Sequence, residues 1–240
     1  MIKVLYRDKF IVAVEKPCGM LSEPSPTEEV SVLSETAKQE NISSAYPVHR
    51  LDRNVAGIML IAKGKTPAGK FSALVSERAV NKEYLAIVHG KPESDFGIYK
   101  DLLFKDSSCN KSFVTDKMRK GVKEASLEYR VIDSKKSEDG TLSLVRVRLH
   151  TGRTHQIRVQ FSSRSTPLFG DGKYGSHTNR GEIALYSARM SFVHPLTKKN
   201  TDIRSLPDTE KYPWNLFREN LDKELFEENI LTEELLKKEV

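Results

Sequence analysis

The spacing of apolar residues along this chain changes from stretch to stretch, and the changes mark its elements. Residues 2–14 hold two apolar runs, KVLY and FIVAVE, which read as one or two strands. KPCGM follows with the proline and glycine of a turn. Beyond a SEPSPTEEV loop, Thr27 followed by Glu28 and Glu29 predicts a helix start, with Val30, Leu33 and Ala37 on one face. SSAYP ends it, and Gly57 to Ala62 reads as a strand from its length and flanking glycines. KTPAGKFSALVSERAV gives the clearest helix. Thr66 can cap it, Pro67 suits the first helical position, and Phe71, Leu74, Val75 and Ala79 form one stripe.

KEYLAIVHGKP is a strand closed by Gly90 and Pro92. Residues 91–124 are polar, lysine-rich and weakly patterned, which predicts loops with short strands. EASLEYRVID is another strand. LSLVRVRL alternates most sharply, with Val145, Val147 and Leu149 set against Arg146 and Arg148. IALYSARMSFVHP is a last strand, and WNLFRENLDKELF with the following residues looks helical. Strands with short connections and a few interspersed helices predict an α+β fold. The expected form is one domain on a mixed, mostly antiparallel β-sheet flanked by helices and loops. That domain takes residues 1–206, and a shift in composition at Pro207 sets off 207–240 as a helical acidic tail.

Charge sharpens the picture. The chain of 240 residues carries +6, but residues 219–240 hold eight acids and three bases, a net −5, leaving +11 on the other 218. A basic body of this kind suits a polyanionic partner, most commonly nucleic acid. No apolar stretch approaches the roughly 20 residues that span a bilayer. The first residues lack the uninterrupted apolar core of a signal peptide, so a cytoplasmic protein without a membrane partner is expected. Cys18 and Cys109 stand alone and are expected to be reduced thiols.

Four stretches carry candidate chemistry. In VHRLDRNVAGIMLIAKG, Asp52 sits between Arg50 and Arg53 just ahead of the apolar run. Opposite charge favours an ionised carboxylate, which fits a nucleophile or charge stabiliser rather than a general acid. Taken alone, a loop salt bridge explains it as simply. LHTGRTHQIRVQF follows the alternating strand. Thr154 can cap a helix whose first turn holds His155, Gln156 and Ile157, with Arg153 and Arg158 near a helix start that would suit a phosphate. PLFGDGKYG packs three glycines and a proline into nine residues, so Asp171 and Tyr174 read first as turn residues. Tyr84 lies in a strand, where a tyrosine is core or a stacking platform for a base. There is no GxxxxGK[ST] phosphate loop, HExxH or CxxC pair, and the histidines show no metal-ligand spacing.

In this order and spacing the blocks resemble the RluA-type RNA pseudouridine synthases. HRLDRNVAGIMLIAKG is similar to that family's catalytic block, HRLDxxTSGLLLxAK, and KEYLAIVHG to its tyrosine block. LHTGRTHQIRVQF is similar to GRTHQ[IL]RVH, and PLFGDGKYG to P[IL]xGDxxYG. VLYRDKFIVAVEKPCGMLSEPS looks like the family's domain start and IALYSARMSFVHPLT like its final strand, so the likeness runs from about residue 2 to 200. It implies isomerisation of chosen uridines in structured RNA, transfer or ribosomal, to pseudouridine, with no metal and no cofactor, by a monomer. Carried over by position, Asp52 is the catalytic aspartate, Tyr84 the tyrosine at the target base, and Arg158 the basic partner of Asp52. Arg50 and Arg53, with Arg153 and His155, are the expected RNA contacts.

Three departures stand out. Val55-Ala56 replaces the family's Thr-Ser, and Gln160 replaces the closing histidine of its block. The likeness begins at residue 2, with no small N-terminal RNA-binding module ahead of it. Target choice is then expected to rest on the domain itself, the basic stretch 91–124, or the tail, with a compact target such as a tRNA or one stem-loop. The competing reading is a catalytically inactive RNA-binding or RNA-chaperone protein on the same fold. Intact Asp52, Tyr84 and Arg158 favour the enzyme.

Overall fold

A computed structural model describes residues 1–178 and 182–224. Its strands are β1 (Lys3–Arg7), β2 (Ile11–Lys16), β3 (Ala45–Pro47), β4 (Ala56–Lys63), β5 (Asn81–His89), β6 (Phe96–Asp106), β7 (Lys111–Thr115), β8 (Val122–Ser137), β9 (Gly140–Leu149), β10 (Leu185–Val193) and β11 (Asn200–Arg204). The helices are α1 (Val32–Gln39), α2 (Lys65–Ser76), α3 (Gln156–Ser162) and α4 (Arg218–Glu224). The class is α+β, with mixed and mostly antiparallel strand pairing. The chain divides into two compact units, the first of residues 1–83 and 186–207, the second of residues 84–185 and those from 208 onward.

In the first unit β4 is the central strand. It pairs antiparallel with β2 from Gly57 against Lys16 to Ala62 against Ile11, and parallel with β10 at Ala56 and Gly57. β3 takes the other end of that same edge, and β1 and β11 extend the sheet outward. Both faces of β4 are covered. Ile58 and Leu60 join Phe71 of α2, while Met59 and Ile61 join Val32 of α1. That double burial is why IMLIA reads as an unbroken apolar run rather than an alternating one. Gly57 is required at the parallel junction: its φ is +111°, and a Cβ there would fall 2.4 Å from the carbonyl oxygen of Ser187.

The second unit lines up β5, β9, β8, β6 and β7 in that order. β9 pairs with β8, β8 with β6, and β6 with β7, all antiparallel. The stretch 91–124, expected as loops with short strands, instead contains the 11-residue β6, all of β7 and the start of β8. The alternation is hidden because Asp101 occupies the same face of β6 as the buried Tyr99 and Leu103. Gln160 at 2.6 Å and Arg164 at 3.0 Å satisfy its carboxylate there. Those partners lie about 60 residues away, beyond the reach of local pattern. Arg146, expected on the polar side of its strand, is buried, and Arg148 pairs with Glu128.

Helix starts also differ from expectation. α1 begins at Val32, capped by Ser31, whose hydroxyl accepts the Ser34 amide at 3.0 Å while Ser34 returns the bond. Thr27–Glu29 lie in the preceding loop, where Ser25 and Glu28 bond to each other, and Val30 is exposed. α2 starts one residue before Thr66, with Gly64 at its cap. α3 starts at Gln156 with His155, not Thr154, at the cap position. From Asp208 the chain joins the second unit. The Lys135 ammonium donates to the carbonyl of Leu216, and Phe217 and Leu221 are buried. The expected tail beyond residue 224, including Leu225, lies outside the described residues.

Candidate active site

In the first unit Asp52 stands in a turn closed by the Val55 amide on its own carbonyl oxygen, at 3.0 Å. The backbone on either side is clamped. Before it, the buried Ser22 hydroxyl donates to the Leu51 carbonyl at 2.8 Å and accepts the Leu51 amide at 3.1 Å. After it, Lys16 reaches in from the end of β2. This ammonium is fully buried and donates to three carbonyls, those of Pro17, Arg53 and Val55, each at 2.9 Å. Three donors meet three acceptors, so the charge is held without a carboxylate bonded to it. Burial pushes the ammonium down to about 8, while Cys18 and Asp52 nearby push it back up. The Gly19 amide adds a second bond to the Arg53 carbonyl at 2.9 Å.

The arginines that flank Asp52 in sequence are engaged elsewhere. Arg50 pairs with Glu23 at 3.3 Å, and Arg53 with Glu28 at 2.9 Å and with the Gly19 carbonyl. Both pairs are exposed and of the kind that contributes about 0–1 kcal/mol. Val55 is buried and acts through its backbone, and Ala56 begins β4 against Tyr186 of β10. Of the two positions where the family has Thr-Ser, Val55 is buried and Ala56 half-buried. His49 accepts the Leu60 amide at 3.1 Å, and burial pushes its imidazole down to about 3, so it serves as a neutral acceptor that ties this loop to β4.

In the second unit Tyr84 is buried in a stretch of β5 whose two faces are both covered, so the expected in-and-out alternation is absent. Arg158, on α3, forks onto Asp171: Nε to Oδ2 at 2.6 Å and Nη2 to Oδ1 at 2.9 Å. Its guanidinium also lies 5.0 Å from the centre of the Tyr174 ring. The Tyr174 hydroxyl accepts the Ser112 amide at 2.8 Å and shares a hydrogen bond with Nδ1 of His155, 2.9 Å away. His155 is buried and left-handed, with φ of 53°. Arg153 turns the other way and donates to the Glu124 carbonyl at 2.9 Å. Gln160 bonds Asp101.

Sequence reasoning thus missed the role of PLFGDGKYG, taken first as a turn. Its Asp171 and Tyr174 hold Arg158 and His155. It also missed Lys16 and Ser22. The available signal was Lys16 itself, a lone cation closing the apolar FIVAVE run directly before a proline.

The family model for RNA pseudouridylate synthase matches residues 10–163. A curated relative from Aquifex aeolicus, named an uncharacterized RNA pseudouridine synthase, is 36% identical over 212 residues, covering 81% of this chain and 66% of that protein. The tRNA pseudouridine synthase C of Pasteurella multocida is 30% identical over 223 residues, 84% of this chain and 90% of that one. Among solved structures, human RNA pseudouridylate synthase domain containing 1 superposes with a TM-score of 0.74 at 20% identity. It covers 89% of this chain and 86% of its own, a likeness of fold.

Proposed function

The chain belongs to the RNA pseudouridylate synthase family, enzymes that isomerise uridine in RNA to pseudouridine, and from that premise we propose that Asp52 is the carboxylate that acts on the target nucleoside. The observation that carries this is the clamped turn: Ser22 fixes the residue before Asp52, and Lys16 fixes the one after it. A reacting group held on rigid backbone keeps its attack geometry, and a misplacement of about 1 Å can cost about 100-fold in rate.

The net chemistry is an isomerisation. The bond from ribose C1′ to uracil N1 breaks, the ring turns, and C5 bonds to C1′; C5 gives up its proton and N1 gains one. A uridine in stacked RNA must leave the stack to reach a protein carboxylate, and an aromatic ring can hold the displaced base. We assign that contact to Tyr84, and to Arg158 a supporting positive charge. Arg50 and Arg53 exchange weak exposed carboxylate pairs for RNA phosphates, and Arg153 and His155 complete the RNA contacts. The substrate is structured RNA, transfer or ribosomal. Transfer RNA is the first to try, because the Pasteurella relative bears that name.

RNA carrying tritium at uridine C5 tests this, since the label leaves with the C5 proton. Wild type releases tritium from bulk tRNA or ribosomal RNA, and Asp52→Asn releases none while still binding. An Asp52→Asn protein that releases label at the wild-type rate overturns the assignment of Asp52. Wild type that binds RNA but releases no label from any cellular RNA points instead to the RNA-chaperone reading.

A further inference from the structure

Residues 105–123 hold six cations, Lys105, Lys111, Lys117, Arg119, Lys120 and Lys123, against two carboxylates, Asp106 and Asp116, for a local +4. Five of the six are exposed and Lys111 is half-buried. Asp106 is occupied by the amide and hydroxyl of Ser108. None of the six cations makes an ion pair among the described residues. Two of them lie over rings instead: Lys111 is 5.6 Å from the centre of Phe113, and Arg119 is 4.9 Å from Phe104. Phe113 and Phe104 face each other across the β6–β7 pair and share one face of the hairpin. Phe113, Val114 and Met118 are exposed. An exposed ring on the Phe113 face, set among cations that no carboxylate neutralises, suits a partner that is anionic and offers flat apolar faces.

The inner side of the hairpin is bonded to the loops that hold Arg158 and His155. The Ser112 amide donates to the Tyr174 hydroxyl, and the Ser112 hydroxyl donates to the Thr154 carbonyl at 2.7 Å. Lys173 donates to the carbonyls of Cys109 and Asn110 at the hairpin tip. The hairpin is therefore fixed to the second unit's site residues and is not a loose arm.

We propose that the outer face of the β6–β7 hairpin, with the turn after it, is an RNA-docking surface: Lys117, Arg119 and Lys120 take phosphates, and Phe113 stacks on an unpaired base. Phosphates match the unneutralised charge, and a base matches the open ring, because stacking on an aromatic side chain tolerates any base. This rests on the reading that the chain acts on RNA and adds where the RNA outside the target nucleotide is gripped.

The test is equilibrium binding of the full chain to fluorescein-labelled bulk tRNA and to a large-subunit ribosomal RNA transcript, over a salt series. Lys117→Gln/Arg119→Gln/Lys120→Gln is expected to weaken binding about tenfold and to flatten the slope of log affinity against log salt by about 2 to 3. Phe113→Ala is expected to weaken binding about tenfold with the slope unchanged. All four positions are exposed, so melting temperatures should hold. Binding by both variants within twofold of wild type, with the wild-type salt slope, overturns the proposal. So does a wild-type dimer, seen by light scattering, that Phe113→Ala dissolves, since the patch would then be covered by a second copy. Tritium release by wild type, read in parallel, separates the two claims: its absence removes the enzyme reading, while the hairpin is judged by binding alone.

Discussion

Arg158 and Asp171 are 13 positions apart and meet in a two-bonded fork, both side chains buried. The fork fixes the plane of the guanidinium, and Tyr174 lies under it, so the direction in which Arg158 presents its charge is set by a loop rather than by its own helix. Asp171→Asn keeps the shape and removes the charge. It is expected to lower the rate of tritium release about 10- to 100-fold at saturating RNA. Asp171→Ala leaves a buried guanidinium without its partner and is expected to cost about 3–5 kcal/mol in urea unfolding. A folded Asp171→Asn protein with the wild-type rate would show that Arg158 needs no such orientation.

The Lys16 clamp makes a second prediction. Lys16→Met preserves the length of the side chain and removes all three donors. The Arg53 carbonyl keeps the Gly19 amide, but the carbonyls of Pro17 and Val55 lose this donor, and a buried carbonyl left unpaired costs about 1–3 kcal/mol, so urea unfolding should show a loss of about that size. The turn holding Asp52 should also loosen, with amide hydrogen exchange at Val55 faster than in wild type. Unchanged exchange there would mean that Ser22 and the Gly19 amide suffice.

Two glycines test close approach. A Cβ at Gly57 would meet the Ser187 carbonyl at 2.4 Å, and one at Gly170 would meet the Glu182 carbonyl at 1.9 Å, both on backbone of positive φ. Gly57→Ala and Gly170→Ala are each expected to destabilise by about 3 kcal/mol. Gly170→Ala should in addition disturb Asp171 beside it and lower turnover. Stability within about 0.5 kcal/mol of wild type, a range usual for surface changes, would refute the crowding.

Glu128 supplies a pH test. Burial raises its carboxyl, but His150 at 3.2 Å and Arg148 at 3.4 Å outweigh that and hold it below the usual value. A carboxyl lowered in the folded state adds stability above its unfolded value of about 4.3, and that stability is lost as pH falls through the folded value. Glu128→Gln is therefore expected to be about 1.5–3 kcal/mol less stable than wild type at pH 7, with the gap closing below about pH 4. A gap independent of pH would assign the loss to shape alone.

What the sequence disclosed and what it withheld follow from the range of the forces involved. β4 and the Phe71 face of α2 are legible because their burial is written in consecutive residues. The Arg50–Asp52–Arg53 cluster suggested ion pairs with the nearest neighbours, yet Glu23 and Glu28, about 25 residues away, take the arginines. β6 was hidden by Asp101, an inward carboxylate satisfied from α3 and the residue just beyond it. The α1 start was hidden by a weaker rival, Thr27 ahead of two glutamates, against a Ser31–Ser34 reciprocal cap. The blocks that resemble the family pointed to Asp52, Tyr84 and Arg158 as candidates, but not to the residues bonded around them. Ser22, Lys16 and Asp171 act by bonds to backbone or across loops, which no local period records.

The parallel pairing of β4 with β10 has a consequence for synthesis. β2 and β4 lie within the first 63 residues and pair as soon as both are made. The strand that completes the edge of β4 at Ala56 arrives only at Tyr186, after residues 84–185 have been made. On the ribosome, the turn bearing Asp52 therefore waits beside an open strand edge while residues 84–185, the larger part of the second unit, are translated. Such an edge invites pairing with other chains, and long-range parallel pairing is slow to form. A nascent chain halted near residue 180 should accordingly be protease-sensitive around Asp52, and one released past β11 should not.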